Sequence, residues 1–205
     1  MSKKNIAILT IILAILIDQI VKVYIKTNFF LGEEVLVFDW FRIHFVENNG
    51  MAMGFEFGGK GGKLFLTLFR LVAVGGIIYW LANTIKNRLP NIVVIAIGLI
   101  FAGAVGNIID SVFYGIVFNT PNGNGVATLF SDQPYGELFH GKVVDMFYFP
   151  FWEGTWPEWI PFIGGNPGGF FNYIFNPADF YISVGVGLLF LFSKKAFPKE
   201  EKKTA

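Results

Sequence analysis

The chain has 205 residues, 54% of them hydrophobic and only 15% charged, with a formal net charge of +1 and no cysteine. Ordinary soluble domains carry roughly 25% charged residues, so this composition suits lipid as solvent. The near-zero net charge gives no electrostatic footprint for nucleic acid. The missing cysteines exclude disulfides, thiolate metal sites and thiol nucleophiles.

Lys3 and Lys4 precede a first apolar stretch that runs from Asn5 to about Ile25. It starts like a secretion signal, but no small-x-small cleavage site follows and it runs into Asp18, Gln19 and Lys22, so it reads as a retained span. Residues 36–45 (LVFDWFRIHF) mix aromatic and β-branched side chains, which predicts a small sheet lying on the membrane. Residues 58–63 (GGKGGK) read as a flexible turn entering the second span, since they lack the strand-to-helix setting and lysine spacing of a phosphate loop. A span needs roughly 20 mostly apolar residues, and four segments qualify: about 5–25, 64–83, 91–110 and 178–194. The third opens just after Pro90, a common helix-opening position, and the fourth starts at the turn Asn176-Pro177-Ala178-Asp179. Residues 119–125 (NTPNGNG) read as an exposed loop, and residues 151–171 as a stretch of Gly, Pro and Trp suited to the membrane–water interface.

Lysine and arginine in the flanks set the orientation. Lys3, Lys4, Lys86, Arg88, Lys194 and Lys195 fall on one side, whereas the opposite, much longer loops carry few basic residues. Both termini are therefore expected in the cytoplasm, with outer loops at about 27–63 and 111–177. The expected fold class is a mainly α membrane protein, four transmembrane helices with a small extracytoplasmic β-sheet and long outer loops, in a single integral membrane domain over 1–205.

Four aspartates need explaining, because a carboxylate at the centre of a span costs roughly 2.5–3.5 kcal/mol on insertion scales. Asp18, Asp110, Asp145 and Asp179 all fall near the outer surface of this topology. Each also has a plain structural account. Asp18 pairs with Lys22 at i,i+4, Asp110 faces water at a helix boundary, and Asp179 meets the helix dipole. Asp145, between two valines and a run of aromatics, is harder to explain that way. Two carboxylates close together in an apolar setting share one proton, and such a pair can activate water against a carbonyl. A proton or ion carrier is the alternative, but it favours charges near the midplane and repeat symmetry, and no repeat is visible. There is no HExxH, only His44 and His140 are present as histidines, and no GxSxG occurs.

At this point the residues resemble the lipoprotein signal peptidase (signal peptidase II) family, through five separated blocks in the family's order. They are Asp18-Gln19-Ile20-Val21-Lys22, the block from Asn48 to Gly54, the glycine-rich run ending Gly106-Asn107-Ile108-Ile109-Asp110, Gly141-Lys142-Val143-Val144-Asp145, and Phe175-Asn176-Pro177-Ala178-Asp179. The resemblance implies an aspartic endopeptidase with a catalytic dyad of Asp145 and Asp179. It implies cleavage of diacylglyceryl-modified prolipoproteins just before the lipidated cysteine, in the bacterial inner membrane. Asn48, Asn107, Asp110 and Asn176 are implied as supporting or substrate-binding residues. No metal or organic cofactor, no nucleic acid and a monomer among membrane lipid are the accompanying expectations. The chain departs from the family's pattern where Ser111 and Glu47 replace basic residues and where the stretches around Asp145 are lengthened.

Overall fold

The computed structural model describes residues 1–49, 59–121, 123, 125–170 and 173–197. Four helices carry nearly half of the chain: α1 (Lys3–Asn28), α2 (Gly59–Lys86), α3 (Asn91–Val117) and α4 (Pro177–Leu191), followed by a single turn, α5 (Ser193–Ala196). Ser2 caps α1 through its hydroxyl, which accepts from the Asn5 N–H. Pro90 precedes α3, and Asn176 with Pro177 opens α4, where a missing N–H at the first helical position costs nothing.

The first three helices are long and apolar enough to cross a membrane. Their outward faces are covered with Ile, Leu, Phe and Val left exposed in the isolated chain, as on α1 at Ile12, Leu16 and Ile20. α4 has 15 residues, which at 1.5 Å per residue reaches only about 22 Å. It is thus shorter than the expected span over 178–194, because the chain breaks at Phe192 before α5. The turn expected over 58–63 is likewise corrected for its described part: from Gly59 on it is already helix. In an apolar medium an unwound backbone leaves its N–H and C=O groups unsatisfied, so helix wins over glycine's conformational freedom.

α3 is the central helix, packed against α1, α2 and α4. Small residues allow the close approach to α4 and α1. A Cβ at Gly103 would run into the Ala178 carbonyl oxygen, and one at Gly106 would come within 2.5 Å of Asp18 Oδ2.

Beyond the helix ends lies a four-stranded antiparallel sheet of order β1-β2-β3-β6, formed by β1 (Glu34–Phe38), β2 (Phe41–Asn48), β3 (Val143–Tyr148) and β6 (Ile174–Phe175). The expected small sheet over 36–45 is its outer hairpin. β4 (Trp152–Thr155) and β5 (Pro167–Phe170) make a separate two-stranded hairpin between β3 and β6. Of the loop read at 119–125, residues 122 and 124 lie outside the described residues.

The segment leading into β3 is tied to the C-terminal turns of α3. The N–H groups of Gly136, Phe139 and Gly141 bond the carbonyls of Gly115, Val112 and Ser111. This fixes where β3 starts and hence where Asp145 points. Val144 and Met146 are fully buried with Phe45, Tyr114 and Phe118 in the core beneath the sheet.

Candidate active site

The four aspartates converge where α1, α3, β3 and the start of α4 meet. Behind the site is a buried ion cluster. Lys22 Nζ lies 3.1 Å from Asp18 Oδ2 and 2.9 Å from Asp110 Oδ2, with all three side chains sealed from solvent. Asp110 therefore does not face water at a helix boundary. Gln19 joins the two carboxylates by donating to Asp18 Oδ2 and Asp110 Oδ1, both at 3.0 Å, and accepts from the Tyr114 hydroxyl at 3.2 Å. A buried charge with one partner missing costs several kcal/mol. Here each member of the cluster has an ionic partner, and both carboxylates also accept from backbone. Asp110 accepts from the Val144 N–H of β3 at 3.3 Å, and Asp18 accepts from the Ala178 N–H of α4 at 2.9 Å. The cluster thus clamps the two segments that carry Asp145 and Asp179.

In front of it stand two asparagines whose orientations are forced. Lys22 Nζ can only donate, so the Asn107 oxygen must face it, at 2.8 Å. The Asn107 amide nitrogen is then directed at Asp179 Oδ1, also at 2.8 Å. Asn176 uses its oxygen to cap α4, accepting from the Asp179 N–H at 3.0 Å. Its nitrogen donates to Asp145 Oδ1 at 2.6 Å and to Asn107 Oδ1 at 3.1 Å. Asp145 and Asp179 are thereby held as neighbours, each by one amide donor and both by the Asn107–Asn176 link. Asn48, at the end of β2, also hydrogen-bonds Asp145. Its pairing partner in the sheet is Val143.

Asp145 is 4% exposed and Asp179 is half-buried. Burial, reinforced by the charge of Asp179, pushes the Asp145 carboxyl up to about 7, against the pull of Asn176, Lys22 and Asn48. A carboxyl protonated near neutral pH beside a second one is the electrostatic signature of a shared proton. Among the described residues no group of three or more His, Cys, Asp or Glu side chains is arranged to hold a metal ion.

Glu47 and Ser111, where the chain departs from the resemblance, have local explanations. Burial pushes Glu47 up, but Lys26 and Lys142 overrule it and hold the carboxylate below its ordinary range. Lys26 is an ion-pair partner of Glu47, and Lys142 Nζ lies 3.2 Å from its other oxygen. An acidic residue is tolerated there because two lysines face it. Ser111 turns back into its own helix, its hydroxyl donating to the Asn107 carbonyl at 2.9 Å.

All six residues singled out from sequence therefore lie in one constellation. Sequence reasoning missed Gln19 as the bridge between carboxylates and Arg70 on α2, whose charge acts on both Asp179 and Asp145. The available signal for Arg70 was a lone arginine inside an apolar span.

The fold is shared with solved bacterial membrane enzymes. One, determined by the in meso method at 2.3 Å resolution, is 25% identical with a TM-score of 0.59, covering 96% of this chain and 93% of that one. Another, at 1.9 Å, has a TM-score of 0.61 at 24% identity, covering 92% of each chain. The chain belongs to the signal peptidase (SPase) II family, whose family model matches residues 10–195. A lipoprotein signal peptidase of Porphyromonas gingivalis is 49% identical over 87% of this chain and 78% of its own length. One of Amoebophilus asiaticus is 35% identical over 88% of this chain and 74% of its own length.

Proposed function

We propose that this protein is an aspartic endopeptidase that removes signal peptides from diacylglyceryl-modified prolipoproteins, cutting just before the lipidated cysteine. The observation that carries the reading is the pairing of Asp145 with Asp179 through Asn176 and Asn107, with Asp145 raised to about 7. Family membership and the names of the relatives support the substrate class.

With one proton between the two carboxyls, the ionised member takes a proton from water while the neutral member donates to the scissile carbonyl oxygen. The resulting hydroxyl attacks the carbonyl carbon and a tetrahedral intermediate forms. The member that gained a proton then gives it to the leaving amine nitrogen while the other member takes a proton from a hydroxyl of the intermediate, the C–N bond breaks, and the dyad again holds a single proton. Water is the nucleophile, and no metal or organic cofactor takes part. Asn107 and Asn176 keep the two carboxyls facing each other, Asn48 steadies Asp145, and Asp110 with Lys22 anchors both from behind.

The protein sits in the bacterial cytoplasmic membrane as a monomer with four crossings, both termini in the cytoplasm and the site near the outer face. The basic flanks and the apolar helices support this placement. A peptide anchored by a diacylglyceryl group reaches such a site by lateral diffusion in the outer leaflet. Asp145→Asn and Asp179→Asn should each give a folded, membrane-inserted protein that accumulates uncut prolipoprotein. Processing at the normal rate by either variant would refute the dyad.

A further inference from the structure

The charges buried around the site do not balance on the residues described so far. Asp18, Lys22 and Asp110 sum to one negative charge, and a dyad holding one proton adds a second. Lys22 is committed to Asp18 and Asp110 at 3.1 and 2.9 Å. α3 and α4 carry no lysine, arginine or histidine at all. An excess of two negative charges in a low-dielectric site is costly unless a cation faces it.

α2 supplies one. Its surface is largely apolar and exposed, as at Phe65, Phe69, Val72 and Tyr79. One face differs: Lys63, Thr67 and Arg70 follow at i, i+4 and i+7, which puts them in a single stripe. Lys63 Nζ donates to Asn49 Oδ1 at 3.1 Å, next in sequence to the Asn48 that bonds Asp145. Thr67 is 2% exposed and donates to the Lys63 carbonyl at 2.9 Å. The stripe therefore faces inward on the dyad side, and Arg70, half-buried near the middle of α2, carries the charge felt by Asp179 and Asp145. An arginine inside a span is retained where it has an interior partner.

We propose that Arg70 is the counter-ion of the Asp145/Asp179 pair, a positioning residue that keeps one of the two carboxyls ionised at neutral pH. This rests on the dyad reading given above. Among the described residues, the other charged groups facing this region are accounted for. From α1 and α3 come Asp18, Lys22 and Asp110, bound to one another. From β2 comes Glu47, bound to Lys26 and Lys142. On α2 itself Lys63 is held by Asn49. Removing the Arg70 charge favours the protonated form of the pair, so the base is lost unless the pH is raised.

The test is the pH–rate profile for cleavage of a diacylglyceryl-modified prolipoprotein in detergent micelles. It compares the parent with Arg70→Gln, Arg70→Met and Arg70→Lys, with Asp145→Asn as the reference. The acidic limb should move up by about one pH unit or more in Arg70→Gln. Cleavage on the acidic limb should then fall about tenfold and recover toward the parent at alkaline pH, while KM changes little. Arg70→Met, which suits a spanning helix better, should behave alike, and Arg70→Lys should keep the limb near the parent's position. An unmoved limb in either neutral variant overturns the proposal, even if the rate is lower, because a merely structural loss is independent of pH. Cleavage by Asp145→Asn at the parent's rate would instead overturn the dyad itself.

Discussion

Asp145 shows how burial beside a second carboxylate makes a single side chain a stability liability. Its carboxyl has an ordinary value of 3.8 and is raised to about 7 by burial and by Asp179. Between those values the folded state holds a proton that the unfolded chain has released, so stability falls as pH rises through that window and levels off above about 7. Asp145→Asn removes the titration and keeps the shape. Thermal unfolding in micelles should show the variant several degrees more stable than the parent at pH 8, with the gap closing at pH 4.5. Equal midpoints at pH 8 would mean that Asp145 is not strained toward its neutral form. At this scale the sequence was informative about residue types but not about partners. The Asp18–Lys22 pair follows from i,i+4 spacing, and the structure has it at 3.1 Å. The third member, Asp110, and the Gln19 bridge arise from helix packing, which no spacing within one helix encodes. Arg70 went unread because a search for flank charges passes over the interior of a span.

Among the elements, α4 is the one whose start has two tasks. Asn176 caps the helix with its oxygen and binds Asp145 and Asn107 with its nitrogen. Serine keeps the first task and cannot perform the second, since its short hydroxyl serves as cap acceptor. Asn176→Ser should therefore unfold within a few degrees of the parent yet lose most of its cleavage rate, by about a hundredfold. Asn176→Ala should lose both, with about 1 kcal/mol of helix capping gone. If the serine variant kept full activity, the amide link to Asp145 would have no catalytic weight. Helix existence was legible for all four segments from apolar length alone. The ends were not: α3 continues to Val117 and α2 begins at Gly59, since tertiary packing and the lack of water extend helix past the apolar run. The sheet was legible only as its outer hairpin. β3 and β6 are short, and their pairing with β2 and with each other joins segments far apart in the chain.

On the scale of the whole molecule, the β4–β5 hairpin is inserted in the chain between Asp145 and Asp179, and among the described residues its strands pair only with each other. Trp159 and Phe162, between those strands, are 81% and 103% exposed. Because its hydrogen bonds close on themselves, replacing Trp152–Phe170 by a short glycine-rich turn should leave the unfolding midpoint within a few degrees of the parent. Cleavage should persist in micelles, with KM raised for a prolipoprotein presented in a bilayer, where exposed aromatics favour the interface. A variant that no longer folds would show that the hairpin supports the four-stranded sheet.

The bond from the Ala178 N–H to Asp18 Oδ1 joins residues 160 positions apart, one in α1 and one at the start of α4. Asp179 is the final member of the constellation to be synthesised. A nascent chain that has not yet added α4 holds Asp145 without Asp179, its Asn176 donor or the closing contact to Asp18. The constellation is therefore complete only once α1 and the start of α4 have met.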